Sequence, residues 1–144
     1  MHVQGKVALV MGGGSGIGRA SALALARHGA SVVVGDLVAK RAEDVVREII
    51  ENGFAALGSE VDVTQLQQVS YLVEKTIESF GQIDLLINSA GIFPQAMVQD
   101  LEEEEWDKVM HYLPGATFVK RNGRLILCKR EIDEYCGGQP ARIS

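Results

Sequence analysis

With 144 residues, 47% of them hydrophobic and 23% charged, the chain has the size and balance of one soluble globular domain with a single sizeable core, which argues against disorder. The net charge of -5 is spread along the sequence, without the basic stripe of a nucleic-acid or anionic-membrane surface, and no apolar run reaches the roughly 18 residues of a membrane span. Met1 to Lys6 lacks the features of a secretory signal, so a cytoplasmic location is expected, and there Cys128 and Cys136 are not expected to form a disulfide.

In chain order, the first predicted element is a strand over Lys6 to Met11, apolar after its lysine, as a strand buried on both faces should be. Gly16 to His28 follows with helical spacing in Ile17, Ala20, Leu23 and Ala24, cations in its last turn and a stop at Gly29. Ser31 to Asp36 reads as a second buried strand, Val38 to Asn52 as a helix closed by Gly53, and Phe54 to Val61 as a weaker third strand. A long helix is predicted over Thr64 to Phe80 with an apolar stripe at Leu66, Val69, Val73, Ile77 and Phe80, followed by a fourth strand over Ile83 to Asn88. A further helix begins at Leu101, where Glu102 to Glu105 suit the helix N-terminus and stay solvated. Strands and helices alternating at this interval predict a parallel, doubly wound α/β sheet in three layers.

Between the first strand and first helix lies GGGSGIG, Gly12 to Gly18. Such a loop lets bare backbone approach a pyrophosphate and delivers it to a helix N-terminus, whose unpaired N–H groups and dipole favour anions. The spacing is G-x-x-x-G-x-G, so the more usual dinucleotide fingerprint, G-x-G-x-x-G, is not present, and Arg19-Ala20 stand where a Walker A loop needs Lys-Ser/Thr. Gly12, Gly14, Ser15, Gly16, Ile17 and Gly18 are therefore the expected phosphate cradle. Asp36 ends the second strand, where a carboxylate can accept both ribose hydroxyls of adenosine and repel a 2′-phosphate. Leu37 follows it where a 2′-phosphate would want arginine, so NAD is expected over NADP, with Lys40 and Arg41 close enough to temper the preference. The scattered His2, His28 and His111 predict no metal site.

On these residues the chain resembles the short-chain dehydrogenase/reductase family. The match lies in Gly12 through Gly16-Ile17-Gly18, Asp62-Val63, Asn88-Ser89-Ala90-Gly91 and Trp106-Asp107-Lys108-Val109-Met110, in register from about Gly5 to Met110. The resemblance implies a Rossmann-like fold, with Asp62 and Val63 at the adenine edge and Asn88, Ala90 and Gly91 lining the adenosine ribose. It also implies hydride transfer between nicotinamide and an alcohol or ketone. Two departures fall inside the match: Met11 replaces a threonine whose hydroxyl in the family fastens the glycine loop, and Ser89 replaces an asparagine.

Beyond Met110 the resemblance fails. The family's next asparagine falls on Leu113, or on Tyr112 with one gap, and Pro114 should stop the helix early. A possible edge strand, Arg124 to Cys128, could serve as the fifth strand, but Lys129 and Arg130 stand where the family's serine would follow. No catalytic Tyr-x-x-x-Lys can be placed after it. The one Tyr-x-x-x-Lys in the chain, Tyr71 to Lys75, is predicted on the solvent face of its helix, running away from the edge where ligands bind.

The expected architecture is thus a nucleotide-binding domain over residues 1–118, cut short after the fourth or fifth strand, with a divergent tail over 119–144. The expected function is that of the family's oxidoreductases with no catalytic residue assigned; a noncatalytic NAD-binding module and an incomplete family member are the alternatives. An exposed sheet edge should then favour self-association into homo-oligomers.

Overall fold

The strand segments fold where their side chains are apolar enough to be buried on both faces. In the computed structural model, which describes residues 2–91, 102–104, 118–121 and 124–127, β1 (Val7–Met11) and β2 (Ser31–Asp36) are buried throughout apart from the partly exposed Ser31. Two half-buried strands flank them, β3 (Ala56–Glu60) beside β2 and β4 (Leu85–Asn88) beside β1, giving the order β3-β2-β1-β4. All three pairings are parallel, with Ala8 opposite both Val32 and Leu85 and Val32 opposite Ala56.

Alternation along the central strands divides the core in two. Ala8, Val10, Val32 and Val34 meet Ala22, Leu25 and Ala26 of α1 (Gly16–Arg27) and Ala42, Val45 and Ile49 of α2 (Ala39–Glu51). Leu9, Met11 and Val33 point the other way, onto Val69 and Leu72 of α3 (Leu66–Phe80) and onto Val61, Val63 and Ile83. Helices therefore cover both faces, and the three-layer, doubly wound α/β expectation is met. Each fully buried Val or Leu contributes roughly 1.5–3 kcal/mol against its exposed state, so the apolar run of β1 anchors both halves. No helix among the described residues is long and apolar enough to cross a membrane.

Two expectations change. The buried face of α3 is centred on Val69, Leu72 and Thr76, whereas Leu66 and Ile77 of the predicted stripe are exposed. Thr76 can be buried because its hydroxyl donates to the Leu72 carbonyl at 2.6 Å, so a residue read as polar occupies a core position. The strand read at Arg124 to Cys128 forms as Arg124–Leu127 (β6), but it pairs antiparallel with Phe118–Arg121 (β5) in a separate two-stranded sheet instead of extending the parallel one. Asn122-Gly123 is the two-residue sequence that favours a tight hairpin, and the register Arg121 opposite Arg124 leaves just those residues between the strands. The predicted helix beginning at Leu101 lies mostly outside the described residues; Glu102, Glu103 and Glu104 are exposed as expected.

One carboxylate ties the starts of β1 and β4 together. Asp84 accepts the Val7 N–H at 2.9 Å and the Gln82 amide at 2.8 Å, and faces Lys6 Nζ at 3.3 Å, while its own N–H donates to the Val7 carbonyl. The Val7 N–H above all, with help from Lys6 and Gln82, holds its pKa below the ordinary carboxylate range against the opposing effect of burial. A lowered folded pKa means that stabilisation is complete above the unfolded value, near 3.9, and is lost as pH falls through the folded value. Asp84→Ala should therefore cost about 1 kcal/mol at pH 7, and the difference from the unsubstituted chain should shrink as pH falls through and below 3.9, as urea titrations across that range will measure.

Candidate functional site

At the end of β1 the chain turns sharply through Gly12, at φ 70°, and enters α1 at Gly16. Close backbone packing makes two glycines obligatory here. A Cβ on Gly12 would stand 2.6 Å from the Ala90 nitrogen, and one on Gly18 only 2.1 Å from the Gly12 carbonyl oxygen. The loop thus lies directly between α1 and the segment that leaves β4, which is further joined to β1 by the Ser89 N–H donating to the Met11 carbonyl at 2.8 Å.

The loop is also fastened to β2. Gly13 N–H donates to the Gly35 carbonyl at 3.0 Å, and Gly14 N–H donates to Asp36 Oδ2 at 2.9 Å. Asp36 is buried, at 6% exposure, and its other oxygen accepts the Val38 N–H at 3.0 Å. Met11, where the resemblance predicts the loss of a fastening hydroxyl, is buried in the α3-side core, and these bonds to β2 hold the loop without it.

These elements enclose a cleft of about 490 Å³ at the carboxyl edge of the sheet, beside β1, whose neighbours β2 and β4 lie on opposite sides. Open parallel sheets bind ligands at this switch point. Of the residues singled out from sequence, the glycine loop contributes Gly12, Ser15, Gly16 and Ile17 to the cleft; Asp36 and Leu37 come from the end of β2, Val63 from beyond β3, and Ala90 and Gly91 from beyond β4. Ser15 sits at the N-cap of α1 in an extended conformation, with no capping hydrogen bond from its side chain and no acid in the first turn, which leaves the helix end suited to an anion.

Four of the singled-out residues lie behind the wall rather than in it. Gly14 holds Asp36, and Gly18 backs onto Gly12. Asp62 Oδ1 accepts from both the N–H and hydroxyl of Thr64, at 2.9 and 2.7 Å, shaping the turn before α3. Asn88 Oδ1 accepts the Ala90 N–H at 3.2 Å and so sets the path of the cleft-lining segment. Val38 and Val61 line the cleft without having been singled out, and so do Ser89, noted from sequence only as a departure from the family motif, and Arg41, noted only as a nearby cation. Val61 was findable, since it lies two residues before Val63 as the chain leaves β3.

Tyr71 is 60% exposed on α3 and lies outside the cleft lining; Lys75, half-buried, places its Nζ 6.0 Å from the Tyr71 ring centre. Among the described residues no group of three or more His, Cys, Asp or Glu side chains is placed to hold a metal ion.

A glycine loop feeding a helix N-terminus, an acid closing the second strand and a cleft at the sheet's switch point define a Rossmann-like α/β fold. The short chain dehydrogenase family model matches residues 6–121, and the chain belongs to that family. It is 43% identical over 115 residues to the peroxisomal hydratase-dehydrogenase-epimerase of Neurospora crassa, a match covering 80% of this chain and 12% of that protein. It is 37% identical over 116 residues to the 3-oxoacyl-(acyl-carrier-protein) reductase of Thermotoga maritima, covering 77% of this chain and 45% of the reductase. A crystal structure of a short chain dehydrogenase from Mycobacterium avium superposes with a TM-score of 0.73 at 38% identity, covering 78% of this chain and 44% of that one. The chain thus spans about half the length, or less, of these relatives.

The Gly12–Gly18 contact has no slack, because the atom a new Cβ would strike is backbone rather than a flexible side-chain end. Gly18→Ala should destabilise the chain by about 3 kcal/mol in denaturant titration.

Proposed function

We propose that this chain is the nucleotide-binding half of an NAD(H)-dependent short-chain oxidoreductase. The observation that carries the reading is the Asp36 carboxylate fixed against the glycine loop at the mouth of the cleft. Each of its oxygens takes one backbone N–H and keeps a lone pair, so the pair can accept the two adenosine ribose hydroxyls. A 2′-phosphate would meet a like charge there, which favours NAD(H). Gly12 and Gly16, with the helix end behind them, suit the pyrophosphate; Val61 and Val63 offer apolar surface to adenine, and Ala90 and Gly91 leave room for the ribose.

When bound, such a cofactor exchanges hydride with the carbon of an alcohol or ketone. The chain's own task is then to move the hydroxyl proton. Among the described residues no tyrosine, lysine or histidine lines the cleft. The described cleft thus favours a role in binding the nucleotide, and a noncatalytic nucleotide-binding module is the second reading. The relatives' names as reductases and dehydrogenases agree with an alcohol or ketone substrate class for the whole protein.

We also infer self-association. Among the described residues β4 is an outer strand of the sheet, and its Leu85, Leu86 and Ile87 are half-buried, unlike the wholly buried β1. Apolar strands at a sheet edge invite pairing with another molecule.

Calorimetric titration with NADH and NADPH, followed by an assay against a panel of secondary alcohols, tests the cofactor reading. NADH should bind more tightly than NADPH and no alcohol should be oxidised; failure of both nucleotides to bind sinks the reading, and turnover restores a complete enzyme. In light scattering the purified protein should weigh at least twice its 15.6 kDa, and a monomer at micromolar concentration would refute the self-association inference.

A further inference from the structure

β3 is an outer strand of the parallel sheet, and its far edge meets no strand among the described residues. The backbone there is open to pairing. The Ala55 carbonyl accepts the Val32 N–H, and the Val61 N–H donates to the Asp36 carbonyl, so the odd-numbered residues turn their polar groups toward β2. Ala56, Gly58 and Glu60 therefore hold theirs outward. Beside this edge α2 comes down close to the strand, since a Cβ on Gly58 would stand 2.9 Å from Val46 Cγ2. Val46, Ile50 and the bare Gly58 backbone floor a groove of about 340 Å³, whose rim carries Glu43, Glu51 and Arg47. Arg47 is paired with Asp44, whereas both glutamates are exposed.

The same chain supplies a strand of matching character. Among the described residues β5 and β6 pair only with each other, and a lone two-stranded hairpin is marginal in water until a third strand joins it. From Phe118 to Arg130 the sequence holds Lys120, Arg121, Arg124, Lys129 and Arg130 and no acid, in a chain whose net charge is -5. Alternation and register place Phe118, Lys120, Leu125 and Leu127 on one face of the hairpin, an apolar face with a single cation that complements an apolar groove rimmed by glutamates. On the other face Arg121 lies opposite Arg124, like charges that a negative partner surface offsets.

We propose that β6 of one copy adds to the outer edge of β3 in a second copy, setting the face that carries Leu125 and Leu127 against the groove of Val46 and Ile50. Backbone bonds to Ala56, Gly58 and Glu60 supply the affinity, and the groove supplies the selectivity. The occupant is a second copy rather than the chain's own hairpin, because the chain leaves the described sheet at β4, the strand farthest from β3, and consecutive elements stay adjacent as a rule. This contact goes beyond the self-association at β4 inferred above and uses the opposite edge of the sheet.

Disulfide trapping tests the contact in the whole chain, with Cys128→Ser and Cys136→Ser as background. Ile50→Cys and Leu125→Cys are made as separate proteins and oxidised singly and as an equal mixture. The mixture should give a disulfide-linked species of twice the chain mass, in yield about tenfold above either protein alone. Two further changes in the Ile50→Cys partner should each lower that yield about tenfold: Ala56→Pro, which removes an outward N–H and no bond to β2, and the exposed pair Glu43→Lys with Glu51→Lys, whose thermal melt should stay unchanged. A mixture that links no better than its components overturns the proposal, and association in light scattering would then leave the β4 inference standing. Linking indifferent to Ala56→Pro or to the charge reversal overturns it as well. So does a chain carrying both cysteines that closes the bond within itself, since its hairpin then serves its own sheet. Linking that vanishes on nuclease treatment assigns the cations to nucleic acid and also overturns it.

Discussion

The bond from Gly14 N–H to the Asp36 carboxylate, 2.9 Å long, holds the glycine loop to the second strand. Without it the loop between β1 and α1 would be fastened to β2 only through Gly13 and Gly35. A buried acid that accepts backbone donors on both oxygens is a rigid strut, because its alternatives in the fold's interior are worse. The cleft inherits that rigidity: the Asp36 side of its wall and the glycine-loop side are joined by the residue expected to read the ligand. Preorganisation of this kind lowers the ordering cost of binding.

The second constraint is steric. Gly18 against the Gly12 carbonyl and Gly12 against Ala90 bring three backbone segments to a distance that no side chain permits. The arrangement serves packing and suits the proposed binding at once, since the same absence of side chains that lets α1 approach also leaves room for a phosphate. The part of the molecule that carries this packing is also the part shared with the dehydrogenases, whose family model runs from residue 6 to residue 121.

Most of this was legible in the sequence because it rests on local patterns. Apolar runs such as VALVM and SVVVGD announce doubly covered strands, and the glycine loop with Asp36 announces the cleft. What was hidden depended on side chains satisfying themselves in ways their type does not suggest. Thr76 entered the core by returning its hydroxyl to Leu72, which turned the buried face of α3 away from Leu66 and Ile77. The β5–β6 pairing was hidden for another reason: its signal, Asn122-Gly123, lay beside a run read as a lone strand of the main sheet. Arg41 was visible as a charge, but its place on the cleft wall depends on how the start of α2 packs against Gly14, which no local pattern encodes.

The pairing of β4 with β1 gives the cleft a history as well as a shape. Ala8 meets Val32 across 24 residues of sequence but meets Leu85 across 77, so the β4 contact closes a loop whose entropic cost is about 1 kcal/mol greater by simple polymer statistics. The glycine loop and the strand bearing Asp36 can come together early, from neighbouring parts of the sequence. The wall formed by Ser89, Ala90 and Gly91 must wait for β4. Half of the cleft is therefore built from the most local contacts of the sheet and half from its most distant, so a ligand that touches both walls favours the last closure of the fold.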